Sequence, residues 1–260
     1  QPRNRVTSLP QAPRTSAFSY PSYRRYWFSN LAGVFAIQFR FIGSGWLVYQ
    51  LTDSPVWLGV PGVVSAAVTI LLTVPGGALA DRIDSQRLLV AARAVNAGLH
   101  LALAITIVLG LVEVWIVIVW AALTGITAAV TSPAGNALLP RLIDRAAMPS
   151  AVALSSAIWS GMRVLGPALA GVMIAAIDVG VAFFVTAAGY ALSTLLVASL
   201  RLEPIPKSAD PEEHSGTFAG VRYILDHQVF LATIGLSFFT SIFGRSYVVL
   251  LPIFADDILQ

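Results

Sequence analysis

The sequence contains no cysteine, so it holds no disulfide framework, no thiolate nucleophile and no zinc–thiolate site. His100, His214 and His227 are its only histidines, and they lie too far apart for metal-ligand spacing. Charge is scarce as well: 11% of the 260 residues are charged and 57% are hydrophobic, with a mean hydropathy of +0.77. Soluble domains carry about 25% charged residues. A chain this poor in charge cannot be wetted all round, and the solvent it implies is lipid. The basic excess is only +3 and is scattered along the chain, which excludes a nucleic-acid groove. No nucleophile–base set and no cofactor motif is present, so the sequence does not read as an enzyme. The first 25 residues are polar and basic without an apolar core, unlike a secretory signal. The chain opens on Gln rather than Met, and is read as lacking its natural start.

What is abundant is apolar length. A membrane-spanning helix needs roughly 20 apolar residues. Seven runs qualify: Tyr26–Leu51, Val56–Ala80, Leu88–Leu111, Val114–Leu139, Ser150–Ile177, Gly180–Leu200 and Val229–Leu251. Their connections alternate in character. The turns with Asp53, Glu113 and Asp178 are short and carry no base. The others hold Arg82 and Arg87, then Arg141 and Arg145, then Arg201, Lys207 and Arg222, and the N-terminal segment adds Arg3, Arg5, Arg14, Arg24 and Arg25. Basic loops stay in the cytoplasm, so the N-terminus is expected inside. The domain plan is a cytoplasmic segment (1–25), a six-helix bundle (26–200), a cytoplasmic loop with a short amphipathic helix (201–228), and a seventh span with the start of a C-terminal bundle (229–260). In "TDSPVW", Asp53 or Ser54 is expected to cap helix 2, with Pro55 in its first turn.

One loop concentrates its charges: "GGALADRIDSQRLL", Gly76–Leu89. Gly77 and Asp81 are four residues apart and so share a helix face. A glycine there lets another helix approach closely, and a carboxylate at the membrane edge calls for a base or a helix N-terminus. Asp81 or Asp84 is also suited to cap helix 3. This stretch resembles the helix 2–3 loop motif of the major facilitator superfamily, G-x-x-x-D-R/K-x-G-R/K-R/K, through Gly77, Asp81, Arg82 and Arg87. Asp84 replaces a glycine, and Ser85 and Gln86 replace bases; an aspartate tolerates the left-handed turn expected there.

Further stretches are similar to the enterobactin-exporter and macrolide-efflux branch of that superfamily: "GWLVYQLTDSPVWLGV", "NALLPRLIDRAAMPSAVALSSAIWSGMRVLGPALAG", "VRYILDHQVF" and "LLPIFADDIL". Together the matches run from about Tyr23 to the end. In helix 5, Gly166, Pro167 and Gly171 match the family's antiporter motif, with Met162 and Ala170 in place of glycines. Pro167 removes a backbone donor and is expected to bend the helix, at what the resemblance implies is the contact between halves.

Three arginines within spans are singled out: Arg40, Arg163 and Arg245. A base in hydrocarbon costs about 2.5–3.5 kcal/mol on insertion scales, so each is expected to face protein or water. With Gln38 and Ser241 they are the candidates for a substrate path, suited to an anionic or hydroxyl-rich molecule. Trp46, Trp115 and Trp120 read as interfacial belt or core. No acid lies in the middle of a span, which leaves Asp81 as the titratable candidate.

The resemblance implies an all-α membrane protein: a six-helix bundle of inverted three-helix repeats plus a seventh helix, from a truncated twelve-helix carrier. It implies a monomeric transporter of the inner membrane, in contact with lipid, exporting a small hydrophobic or siderophore-like compound with protons as the coupling ion and no cofactor. The rival readings are an importer on the same fold and a seven-helix receptor. The receptor conflicts with an inside N-terminus, and Lys207, the single lysine, lies in a loop rather than a span.

Overall fold

The computed structural model describes residues 15–202, together with positions 229, 232, 233, 235–237, 239 and 240. The chain divides into two compact units, residues 1–204 and 205–260. The amphipathic helix expected within 201–228, and Ser241 and Arg245 of the seventh span, lie outside the described residues. The first unit is all helical: α1 Pro21–Thr52, α2 Val60–Arg82, α3 Ser85–Val108, α4 Val114–Leu138, α5 Met148–Ala176 and α6 Val179–Ala198. All six are long and apolar enough to cross a membrane. Their order matches the six spans read from the sequence.

The packing repeats itself. α1 lies against α5 and α6, α4 lies against α2 and α3, and α3 lies against α6. Exchanging α1–α3 for α4–α6 reproduces the same set of pairs, the pattern of a three-helix structural repeat. Large apolar side chains such as Ile70, Leu71, Val164, Val172 and Leu195 are exposed among the described residues.

Two seams are set by small residues. On α4, a Cβ at Gly125 would lie 2.6 Å from the Ser65 carbonyl of α2; on α2, a Cβ at Gly76 would lie 2.8 Å from the Ala129 carbonyl of α4. Only glycine admits backbones this close. Thr69 Oγ1 adds a hydrogen bond to the Gly125 carbonyl across the same seam, at 3.1 Å. In the equivalent α1·α5 seam, a Cβ at Gly166 would collide with Gln38 Cβ. Gln38 Nε2 there donates to the Met162 carbonyl at 3.1 Å. α5 continues through Pro167 to Ala176.

The turns differ from the expectation in two places. Neither Asp53 nor Ser54 caps α2 through its side chain. Asp53 instead ends α1 in the left-handed conformation, φ 49°, and a 3-10 turn over Pro55–Gly59 leads into α2. The reason lies upstream: Thr52 Oγ1 accepts from the Ser54 amide and donates to the Val48 carbonyl, so the turn is organised from the end of α1. Asp84 does not take the left-handed turn either. Its φ is −55° and ψ 122°, because its carboxylate accepts from the Arg87 amide and caps α3, and an N-cap needs extended backbone.

The bundle's two ends are tied differently. At the end that carries the bases, Tyr20 donates to Asp144 at 2.6 Å, Arg25 to the Ser199 carbonyl at 3.1 Å, and Gln86 to the Val197 and Leu200 carbonyls at 2.9 and 2.8 Å. Arg141 meets Asp84 at 3.0 Å, joining the α2–α3 and α4–α5 connections. A cluster around Tyr23, Leu89, Leu138 and Val197 fills the interior there. At the other end the acids act locally: Glu113 accepts from Trp115 Nε1 at 2.6 Å, and Asp178 caps α6 by accepting from the Gly180 amide at 2.7 Å. Leu47, Val48, Val117, Trp120 and Phe183 form the core at that end.

Candidate functional site

A cleft of about 690 Å³ opens into the bundle, within the range of small-molecule sites. Its wall on α1 is one stripe, Tyr26, Asn30, Gly33, Ile37 and Arg40, at the three- and four-residue steps of a single helix face. α4 adds Thr124, Thr127 and Thr131, and α5 adds Ser155, Ser156, Trp159 and Ser160. Hydroxyls are affordable inside a membrane helix because they return a bond to the preceding turn; Thr124, Thr127 and Thr131 do so to the carbonyls of Ala121, Thr124 and Thr127. The wall is therefore polar, yet no stretch of sequence along it stops being a helix.

α3 contributes Arg93 and Asn96. Arg93 is 5% exposed. Its Nη1 donates to Ser193 Oγ of α6 at 2.5 Å and to Ser29 Oγ of α1, and the two serines bond each other. Gly33 packs beside the guanidinium: a Cβ there would stand in ordinary contact with Nη2, at 3.9 Å. Asn96 donates to Thr127 Oγ1 at 2.8 Å. One turn further, His100 is fully buried, with Nδ1 donating to the Asn96 carbonyl at 2.6 Å. Its ring lies 5.2 Å from those of Trp120 and Tyr190. His100 Nε2 and Trp120 Nε1 are buried without a hydrogen-bond partner.

The residues singled out from sequence are dispersed. Arg40 is half-buried on the cleft. Gln38, two residues earlier, faces α5 and serves the seam with Gly166. Arg163 is exposed on α5 and is not among the cleft-lining residues. Gly171 is exposed, and a Cβ there would meet nothing within 4 Å. A Cβ at Gly77 likewise meets nothing within 4 Å among the described residues; its neighbour Gly76 is the glycine that packs. Asp81 lies in the last turn of α2, followed by exposed Arg82, and the Asp81 side chain lies outside the described residues. Trp120 is core, whereas Trp46 and Trp115 are exposed. Burial raises the Asp84 carboxyl, but the Arg87 amide and the Arg141 guanidinium outweigh it and hold it below the usual carboxylate range.

Sequence reasoning misses Arg93. It stands near the start of a span, where a base reads as an anchor. The available signal was Asn96 and His100 at three and seven residues beyond it on the same face. A second hollow, of about 970 Å³, is almost wholly apolar, running along Phe28, Ala32, Phe35, Ala188 and Leu192 with Arg24 and Arg25 among its lining residues.

Comparison with known proteins agrees with this architecture. The family model of transmembrane secretion effectors matches residues 12–260. A staphyloferrin A transporter from Staphylococcus aureus is 30% identical over 225 residues, covering 84% of this chain and 55% of that protein. YfiS, an uncharacterised transporter of the major facilitator type from Bacillus subtilis, is 26% identical over 175 residues, covering 67% of this chain and 41% of that protein. The chain spans about half the length of these curated relatives. A repeat-built bundle of membrane-length helices around a polar cleft, matched along almost its whole length, makes this chain a member of the transmembrane secretion effector family of the major facilitator superfamily.

Proposed function

We propose that the protein acts as a secondary carrier of the cell membrane, exporting a small hydrophobic or siderophore-like molecule by alternating access with protons as the coupling ion. The observation that carries this reading is the cleft: hydroxyls, amides and two arginines gathered inside a bundle whose outer surface is apolar. Such an interior is costly in a membrane unless it serves a solute. The similarity to a staphyloferrin A transporter supports the siderophore-like class. In this reading Gly77, Asp81, Arg82 and Arg87 form the inner gate, and Gly166 holds α5 against α1 so that the half moves as one body. The carrier works as a monomer, its N-terminus in the cytoplasm.

The test is efflux from cells. Deleting the protein should make cells retain a labelled siderophore-type compound, and Asp81→Asn in the full-length protein should reproduce most of that retention. Faster loss from the deletion strain would identify an importer; unchanged retention would remove the carrier reading. This chain has no cysteine, so in a full-length protein cleared of any other cysteine Glu113→Cys and Arg145→Cys report sidedness in the same cells. Only Glu113→Cys should react with an impermeant thiol reagent added outside.

A further inference from the structure

The cleft holds two arginines and no carboxylate among its lining residues. Arg93 is the sharper case. A buried base is ordinarily paired with an acid, yet the contacts of Arg93 are two neutral serine hydroxyls, both taken by Nη1. Nη2 and Nε carry no hydrogen bond among the described residues, and neither is among the buried side-chain atoms left without a partner, which are His100 Nε2 and Trp120 Nε1. Arg93 lines the cleft, so the unused edge of the guanidinium is the part left to face it. The serines fix one edge of the fork and leave the other for a planar, bidentate acceptor, the geometry of a carboxylate.

Arg40 supplies the second point. It is half-buried on the same α1 stripe, makes no hydrogen bond among the described residues, and lies within electrostatic reach of Tyr190, which also borders the cleft. Arg40 is seven residues beyond Gly33, about 10 Å along the helix at 1.5 Å per residue. We infer that Arg93 and Arg40 form a two-point seat for an organic anion bearing at least two carboxylates separated by up to about 10 Å, with the threonines and serines of α4 and α5 taking its neutral polar groups. This rests on the carrier function proposed above and adds a charge class and a spacing to it. Arg93 becomes the residue that decides between acids and their neutral analogues.

The experiment uses the full-length protein in detergent and reads binding from tryptophan fluorescence, since Trp159 lines the cleft. The probes are suberate, a linear dicarboxylate whose ends span the separation, its neutral diamide, and sulfate as an inorganic dianion. Suberate should bind at least about tenfold more tightly than the diamide. Arg40→Gln should narrow that margin, because only Arg93 then remains to favour the acid. Arg93→Lys keeps the charge but loses the fork, and should weaken suberate at least about tenfold. Should Arg93→Lys fail to fold, Arg40→Gln decides alone, because Arg40 carries no structural bond. Equal binding of acid and diamide, or an unaltered ratio in Arg40→Gln, overturns the seat. Sulfate binding as tightly as suberate overturns it in favour of an inorganic-anion site. Efflux that persists without any acid preference sinks this inference alone, and an acid preference in a protein whose deletion changes no transport sinks the carrier reading alone.

Discussion

The two ends of the bundle are built on different terms. At the basic end, side chains reach across the fold: Gln86 at the start of α3 holds the carbonyls that close α6, Arg25 holds Ser199, and Arg141 holds Asp84. At the acidic end, Glu113 and Asp178 bond within their own turns, and cohesion comes from apolar contact around Trp120 and Phe183. Directional bonds fix position, while apolar contact tolerates sliding between alternatives of similar packing. One end is a plate of cross-linked termini and the other is a packed joint.

The largest effect is expected in the joint. Phe183 is fully buried against Trp120 and Leu47, and Phe183→Ala should cost about 3–5 kcal/mol, read as a lowered unfolding midpoint of the full-length protein in detergent. A loss comparable to that of an exposed aromatic would break the comparison. The plate should respond in smaller steps. Gln86→Met keeps the volume but takes the side-chain donor from the Leu200 carbonyl and leaves Val197 with the Leu200 amide alone, for about 1–3 kcal/mol, and should raise hydrogen exchange at the ends of both α3 and α6. Exchange confined to α3 would show that the tie is not shared. The smallest effect is acid titration of the plate. The Asp84 carboxyl is held below its ordinary range in the folded protein, so its contribution is complete above about pH 4, the unfolded value, and disappears as pH falls through the folded value. The pair is part-exposed, which limits the loss to about 1 kcal/mol or less. Asp84→Asn should remove that share of the acid dependence and leave the midpoint at pH 7 lower by a similar amount.

The spans were legible because lipid imposes a length and an apolarity that no soluble core requires. Faces were harder, for the same reason. A soluble helix announces its buried side by being apolar there and polar elsewhere; in lipid both sides are apolar, and periodicity falls silent. Gly76 and Gly77 are indistinguishable as letters, yet one meets the α4 backbone and the other open space. Arg40 and Arg163 stood out as intramembrane bases, but only the fold separates the one that lines the cleft from the one exposed on α5. Arg93 was hidden by its place near a span end, and the serines that hold it sit in helices 64 and 100 residues away. The capping role of Asp84 was readable because a cap is local chemistry, whereas Asp53 was misassigned because the same residue types both end and begin helices.

The Asp84–Arg141 tie also has a meaning in time. Its partners are separated by 57 residues, and at synthesis rates of about 5–20 residues per second Arg141 leaves the ribosome roughly 3 to 11 seconds after Asp84. During that interval Asp84 can already cap α3 through the nearby Arg87 amide. Arg141 reaches it only once α4 has threaded back to the side where α2 ended. The bond is thus a late clasp, closing when the second repeat has taken its place beside the first, and a chain that inserts α4 the wrong way round leaves it open.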